Sequence, residues 1–343
     1  MIVLQQVSLL ISFALAALLG FAAHRSSICT VKAVEEMLTT RRAYMLLSFA
    51  KTVLWIMAVT AILLWGLPET RASTAGWQVS VAGLVGGLVF GVGAVFNNGC
   101  AFSTLTRLGD GRLSMLLTLG GFALGVAAHN LLVPPALMPV ARPAEAFLGQ
   151  AGFGPTLLLA ALALWGVWEA WRLWRTRPIG FGLRALVLAD RYRLSTAALV
   201  LGLSNALLYA LHGNWVYTAT LSREIGRATG QGGQPDPFLW LLFLGLVAGM
   251  AVSSWQRRRF RVDWRPSPGW IGNAAGGALM GFGAALVPGG NDALILHGIP
   301  TLSPHALPAY AAMLVGIAAS LSLMRLAGAQ LTTVDCSGDI CSR

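Results

Sequence analysis

Three stretches share one pattern and decide the fold: GFAAHRSSICT (residues 20–30), GVGAVFNNGCA (91–101) and GFGAALVPGGN (281–291). Each begins with a glycine near the end of an apolar segment and then contains a polar or glycine-rich turn. Nine positions after its first glycine, each has a residue that we use as its reference point, or landmark. The landmarks are Cys29, Cys100 and Gly290. A fainter fourth copy runs from Asn205 to Asn214. Such weak self-similarity is typical of transporters that are built from repeats.

A short apolar segment follows each copy, at residues 30–38, 101–108, 215–225 and 292–299. A spanning helix needs about 20 apolar residues, so these segments are too short to cross a bilayer. Irregular backbone is tolerated at membrane depth where protein surrounds it. The pattern therefore predicts four re-entrant half-helices, each beginning just after a polar turn.

The composition indicates an all-α polytopic membrane protein. The 343 residues are 56% hydrophobic and 11% charged, whereas about 25% of the residues of a soluble domain are charged. The first apolar stretch has no Lys or Arg before Arg25, so it lacks the basic start of a signal peptide and is predicted to span. Nine spanning helices are predicted, at 2–23, 43–66, 77–96, 113–133, 154–174, 194–211, 237–255, 270–288 and 306–326.

The formal net charge of +11 first suggests a nucleic-acid partner, but its distribution records membrane topology instead. Loops after the odd-numbered spans, together with the C-terminal end, hold 19 Lys and Arg, and loops after the even-numbered spans hold four. By the positive-inside rule, the N-terminus is expected to be periplasmic and the C-terminus cytoplasmic. No nucleic-acid partner is expected.

The four copies form two pairs that are separated by the fifth span. Cys29 and Cys100 are 71 residues apart, and Asn214 and Gly290 are 76 apart. The charge count predicts that the loops of the first pair enter the membrane from the cytoplasm and those of the second pair from outside. We predict one membrane domain over residues 1–343, with inverted repeats at 1–135 and 194–328, a linker helix at 150–190, a tail at 329–343, and an hourglass shape.

The polar tips of the half-helices are the candidate substrate path. Unpaired N–H groups and a partial positive charge at a helix N-terminus attract anions, and a thiol there is both activated and a weak donor. Cargo is therefore expected to be a small sulfur-containing anion. The residues predicted to line its path are Ser27, Cys29, Thr30, Asn97, Asn98, Gly99, Cys100, His212, Asn214, Gly289, Gly290, Asn291 and Asp292.

Other interpretations of these residues stay open. A buried cysteine is often only a core residue, and a scattered histidine is more often packed than metal-bound. Asp292 caps the half-helix that begins there, or accepts a proton or binds a cation in the constriction. The tail cysteines, Cys336 and Cys341, belong to a disordered end with free thiols, or they relay sulfur that the pore delivers.

The residues Ser27-Ile28-Cys29, the segment from Asn98 to Ser103, and the repeated Gly-x-Gly-Ala resemble the YeeE/YedE, or sulfur-transport, family of membrane proteins. The resemblance covers essentially the whole chain. It implies nine spanning helices plus re-entrant helices, uptake of thiosulfate or a related species, and cysteines along the path. The thiosulfate transporters of the family carry a third cysteine in the last repeat, where this chain has residues 287–292 without a thiol.

The expected function is import of a thiosulfate-like anion across a bacterial inner membrane by a transporter or channel. No P-loop occurs in the sequence, and neither enzymatic activity nor a cofactor is expected. The alternatives are a membrane sulfurtransferase and a scaffold that passes sulfur, as persulfide, to a cytosolic TusA-like sulfur carrier. The lipid bilayer and the anion are the other expected partners.

Overall fold

The computed structural model describes residues 2–66, 74–134, 141–144, 152–177, 182–213, 215–230, 234, 236–263, 269–331 and 334–342. In chain order, its helices are α1 (Ile2–Ser26), α2 (Thr30–Thr40), α3 (Tyr44–Gly66), α4 (Val81–Phe96), α5 (Ala101–Gly109), α6 (Ser114–Leu132), α7 (Phe153–Arg175), α8 (Leu183–Leu188), α9 (Leu194–His212), α10 (Tyr217–Ala228), α11 (Pro237–Gln256), α12 (Gly269–Leu286), α13 (Asn291–Ala293) and α14 (Ala306–Leu326). A π-helical turn, Leu294–Gly298, continues α13.

The protein is an all-α polytopic membrane protein, as the composition predicts. Among the described residues, eight helical segments are long and apolar enough to cross a membrane, or up to nine with the pair α12 and α13, which is bent by 46°. Each predicted span coincides with one long helix, and each predicted half-helix coincides with one short helix. The short helices are α2, α5, α10 and α13 with its π-helical turn. The order of one long, one short and one long helix therefore occurs four times along the chain. The helix α7 lies between the second and third of these groups.

Glycines let the long helices pack backbone to backbone. A Cβ added at Gly249 of α11 would lie 1.8 Å from the carbonyl oxygen of Ala17 in α1. One added at Gly20 of α1 would lie 2.0 Å from the carbonyl oxygen of Leu246 in α11. Small residues are the usual contact residues between membrane helices, because lipid supplies no hydrophobic drive for larger ones to associate. The glycines that precede the polar tips therefore also hold the tips in place.

Two short β-ribbons were not predicted. β1 (Thr74–Trp77) pairs antiparallel with β2 (Ala141–Ala144), and β3 (Asp335–Ser337) pairs antiparallel with β4 (Ile340–Ser342). The expectation of a disordered tail with free thiols is wrong, because a disulfide joins Cys336 to Cys341 across β3 and β4. The chain reverses there at Gly338, which has a φ of +64°, and glycine accepts that value readily.

A buried ionic cluster joins three of the long helices. The carboxylate of Glu169 in α7 is fully buried and lies 2.6 Å from Arg172 and 3.0 Å from Lys51 of α3. The hydroxyl of Ser195 in α9 accepts hydrogen bonds from both cations, at 2.9 Å from Arg172 and 2.7 Å from Lys51. Buried charges need such partners, and this cluster ties α3, α7 and α9 together.

Candidate functional site

The N-termini of α2 and α5 meet at two buried thiols. Cys29 and Cys100 are the residues that precede these helices, both have extended backbone, and both are free cysteines. Their thiols lie close enough to interact with each other. Cys29 also lies near the backbone of Cys100 and Lys32, and Cys100 lies near the backbone of Ser103 and Thr30. Each thiol therefore lies against the N-termini of both helices.

The N-termini of α10 and α13 meet at a buried carboxylate. Asp292 accepts a 2.7 Å hydrogen bond from the Thr218 hydroxyl and a 3.4 Å bond from the Thr218 backbone N–H. Thr218 is the second residue of α10. Asp292 is the second residue of α13, whose N-cap is Gly290, so these hydrogen bonds run to the neighbouring short helix and do not cap its own. With its oxygens engaged by these donors, the carboxylate has part of its charge offset.

Two further contacts join these pairs into one cluster, which we call the waist. The side-chain amide of Asn291 donates to the Thr30 hydroxyl at 3.2 Å, which connects α13 to α2. The phenol of Tyr217 is close enough to Cys100 and Asp292 to interact electrostatically with both. Within the waist, Cys29, Cys100, Asn291 and Asp292 are each at most 2% exposed. The four short helices thus point their N-termini into one water-shielded region.

The electrostatics of the waist follow from its helix ends. The residues that precede the four short helices are Cys29, Cys100, Val216 and Gly290, and none of them makes a side-chain capping hydrogen bond. Thiols are only weak acceptors, so the first-turn N–H groups keep much of their capacity to bind an anion. The arrangement concentrates positive potential without a lysine or arginine side chain at its centre. It can hold a small anion by backbone donors and thiols.

Asn97 and Asn98 shape the turn before Cys100. The side chain of Asn97 donates to the Gly99 carbonyl and the Thr104 hydroxyl, both at 2.9 Å, and accepts from Thr118 at 2.7 Å. These bonds occupy the Asn97 amide within the protein, so its part in the predicted path is to support the turn. Asn98 has a φ of +55°, a value that Asn tolerates better than most residues.

Not all predicted path residues belong to the waist. His212 lies at the end of α9, where its Nε2 is 2.5 Å from the Ser12 hydroxyl and its ring is 4.3 Å from that of Phe238. Asn214 lies outside the described residues. Gly289 lies in the turn before α13 and has a φ of +148°, which favours glycine. A Cβ on Gly290 would come 3.1 Å from Thr218, so glycine permits the close approach of α10.

A cavity of about 800 Å³ opens beside the waist, on the face that we call the basic face. Ser27 and Asn98, from the turns before the two cysteines, line it together with Cys341 of the tail. Its basic and acidic lining residues are Lys32, Arg107, Arg112, Arg191, Arg259, Glu35, Asp110 and Asp263. Loops that the charge count assigns to one side of the membrane therefore meet at one cavity.

Arg107 and Asp110 are functional candidates that the sequence did not single out. Arg107 donates to the backbone carbonyls of Asn97 and Asn98 and holds the turn before Cys100. A lone charge in a short apolar segment was the signal that could have found it. Asp110, just past the end of α5, lies 3.0 Å from His24 and accepts from Ser254 at 2.7 Å.

These contacts fix the far end of the helix that carries Cys100. Burial raises the pKa of Asp110, but the hydrogen bonds from His24 and Ser254 outweigh it, so this pKa lies below its ordinary value. The carboxylate is therefore charged at neutral pH. Among the described residues, no group of three or more His, Cys, Asp or Glu side chains is arranged to hold a metal ion.

Known proteins are similar to this chain along most of its length. The family described as "Sulphur transport" matches residues 25–319, which include all four short helices. The chain is also similar to the thiosulfate transporter TsuA of Escherichia coli (strain K12), with 24% identity over 303 residues. That alignment covers 80% of this chain and 82% of the relative.

Proposed function

The chain belongs to the sulphur-transport family of membrane proteins, and from this premise we propose that it imports a thiosulfate-like anion through the waist. The name of the similar Escherichia coli protein supplies the substrate class. The chemistry of the waist is consistent with it, since both the helix ends and the thiols suit an anion that carries an exposed sulfur atom.

One observation carries the proposal. Four helix N-termini, none capped by the side chain of the residue before it, converge in a region shielded from water. In a low-dielectric site, N–H donors that are fixed in place interact strongly with a negative charge. A site for a cation would need the reverse arrangement, with carbonyls or several carboxylates at the centre.

The thiols give the proposed site its preference for sulfur. Cys29 and Cys100 can donate weak S–H hydrogen bonds to an anion, and their soft sulfur atoms suit contact with the sulfane sulfur of thiosulfate. The fourth tip contributes Gly290 and the amide of Asn291 in place of a thiol. The proposed path is therefore a two-thiol path, completed by backbone and amide donors.

We further propose a direction and a membrane orientation. The chain lies in a bacterial inner membrane, with its N-terminus periplasmic and its basic face cytoplasmic, as the positive-inside rule expects. The short helices are re-entrant, and the halves 1–135 and 194–328 are inverted repeats. The anion leaves the waist past Ser27 and Asn98 into the basic cavity.

The anion crosses this path chemically unchanged, so the membrane-spanning part acts as a transporter or channel and not as an enzyme. Electrostatic attraction by the arginines around the cavity raises the local concentration of anions at its mouth. We propose that a cytosolic TusA-like sulfur carrier collects sulfur at this face.

The test is uptake into liposomes that contain the purified protein. Radiolabelled thiosulfate should accumulate, and unlabelled thiosulfate should compete far better than sulfate, which has the same charge but no sulfane sulfur. Empty liposomes are the control. Equal competition by sulfate would contradict the role of the thiols, and uptake no faster than in empty liposomes would contradict transport.

A further inference from the structure

The C-terminal hairpin places a cysteine pair in the wall of the basic cavity. Cys336 is fully buried, whereas Cys341 is partly exposed and lines the cavity with Val334 and Ile340. A disulfide joins the two sulfurs. Cys341 is therefore the member of the pair that borders the cavity, and its buried partner Cys336 is bonded to it.

The position of the hairpin is fixed by hydrogen bonds to one membrane helix, α9, and to the segments that precede α9 and α3. Asp339, in its turn, accepts from the Ser195 backbone at 2.9 Å and from the Ser195 hydroxyl at 2.7 Å. Ser195 belongs to the buried cluster around Glu169. Arg191 donates to the Cys341 carbonyl at 3.0 Å, and Arg42 donates to the Cys336 carbonyl at 3.3 Å. These hydrogen bonds hold the cysteine pair at one place in the wall of the cavity.

The same cavity extends to the turns that precede the waist cysteines. Ser27 and Asn98, which lie two residues before Cys29 and Cys100, line it together with the tail. The basic lining residues attract an anion and favour the thiolate form of a nearby cysteine. An anion that leaves the waist by this face therefore enters the basic cavity, where it meets the cysteine pair of the tail.

We propose that Cys341 and Cys336 form a dithiol site that accepts the sulfane sulfur of the anion delivered by the waist. The inference rests on the proposed transport function. In the reduced hairpin, the Cys341 thiolate attacks the sulfane sulfur of thiosulfate. The S–S bond of thiosulfate breaks, its electron pair leaves on sulfite, and Cys341 becomes a persulfide.

Cys336 completes the reaction when no other thiol takes the sulfur. Its thiol attacks the Cys341 sulfur, the bond to the added sulfur breaks, and hydrogen sulfide leaves. In total, two thiols and one thiosulfate give one disulfide, one sulfite and one hydrogen sulfide, so the dithiol supplies two electrons to the sulfane sulfur. The disulfide seen in the structure is the product state. A cytosolic dithiol protein returns it to the dithiol by thiol–disulfide exchange.

The test uses the full-length protein in detergent, reduced with dithiothreitol, desalted without oxygen and then given thiosulfate. Wild type should release sulfite in proportion to protein and regain the tail disulfide. C336S should release sulfite and keep one extra sulfur atom on Cys341, detected by alkylation and mass analysis of the tail peptide. C341S should release no more sulfite than a blank. A monodisperse elution profile shows that each variant is folded.

The matched control is Gly120→Ala, a substitution outside the waist and the tail, where nothing lies within 4 Å of the added Cβ. It leaves all four cysteines in place, so this variant should release as much sulfite as wild type. Sulfite release that is equal in wild type and C341S would overturn the proposal. The absence of sulfite from a wild-type protein that transports thiosulfate would also overturn it, and would leave the proposed transport function unaffected. Sulfite release that depends on Cys341 in a protein without uptake would support the tail chemistry and contradict the transport function.

Discussion

Thr218 and Asp292 show how a single pair of residues joins two short helices within the waist. Asp292 brings a carboxylate into a region proposed to bind anions, which alone would repel them. The hydroxyl and backbone N–H of Thr218 are turned toward its oxygens. Hydrogen bonds to a charged group are worth about 1.5–3 kcal/mol each, so this pair both joins two short helices and offsets the carboxylate.

Replacing Thr218 by Val tests this pair, since Val keeps the shape and removes the hydroxyl donor. The free energy of unfolding should fall by about 1.5–3 kcal/mol, and thiosulfate uptake should fall with it because the carboxylate charge is less offset. Thermal unfolding in detergent and liposome uptake measure the two effects. Thr218→Ser restores the hydroxyl and should behave like wild type. A valine variant with unchanged stability and uptake would contradict the assigned role.

At the scale of elements, close helix contacts hold the tips. Gly249 and Gly20 make reciprocal contacts between α11 and α1, and α1 leads directly to the turn before Cys29. Because packed interiors resist added volume, one extra methyl group at such a contact should separate the helices. The position of a tip therefore depends on residues several turns away from it.

The comparison of Gly249→Ala with Gly120→Ala isolates this effect. Nothing lies within 4 Å of a Cβ at Gly120, whereas one at Gly249 meets the backbone of Ala17 at 1.8 Å. Overpacking costs about 1–3 kcal/mol, so Gly249→Ala should lower the midpoint of thermal unfolding. Gly120→Ala should leave it unchanged or raise it slightly, since alanine favours a helix. Equal midpoints for the two variants would show that the contact does not limit stability.

At the scale of the whole molecule, the sequence predicts the scaffold well because the bilayer constrains it strongly. Apolar length alone locates the spans, and the short helices follow from segments too short to cross. The charge count groups loops that the structure brings to one cavity, where Lys32, Arg107, Arg191 and Arg259 meet. Cys29 and Cys100 were paired through their matched positions in two copies, and the structure brings their thiols together.

What the sequence could not predict depends on side-chain contacts between distant segments. Thr218 has no local signature, and its importance comes from Asp292, which lies 74 residues away. Asn97 resembles a path residue in sequence, but its amide is occupied by Gly99, Thr104 and Thr118. The tail is ordered because Ser195 and Arg191 bind it, and neither residue suggests such a role by spacing.

The central claim is that the anion passes between the thiols of Cys29 and Cys100, and uptake by the double variant C29A/C100A tests it most directly. Loss of hydrogen bonds to a charged solute should slow thiosulfate uptake about tenfold or more, while the elution profile and unfolding midpoint stay close to wild type. Thiosulfate uptake at the wild-type rate by a folded double variant would contradict the claim.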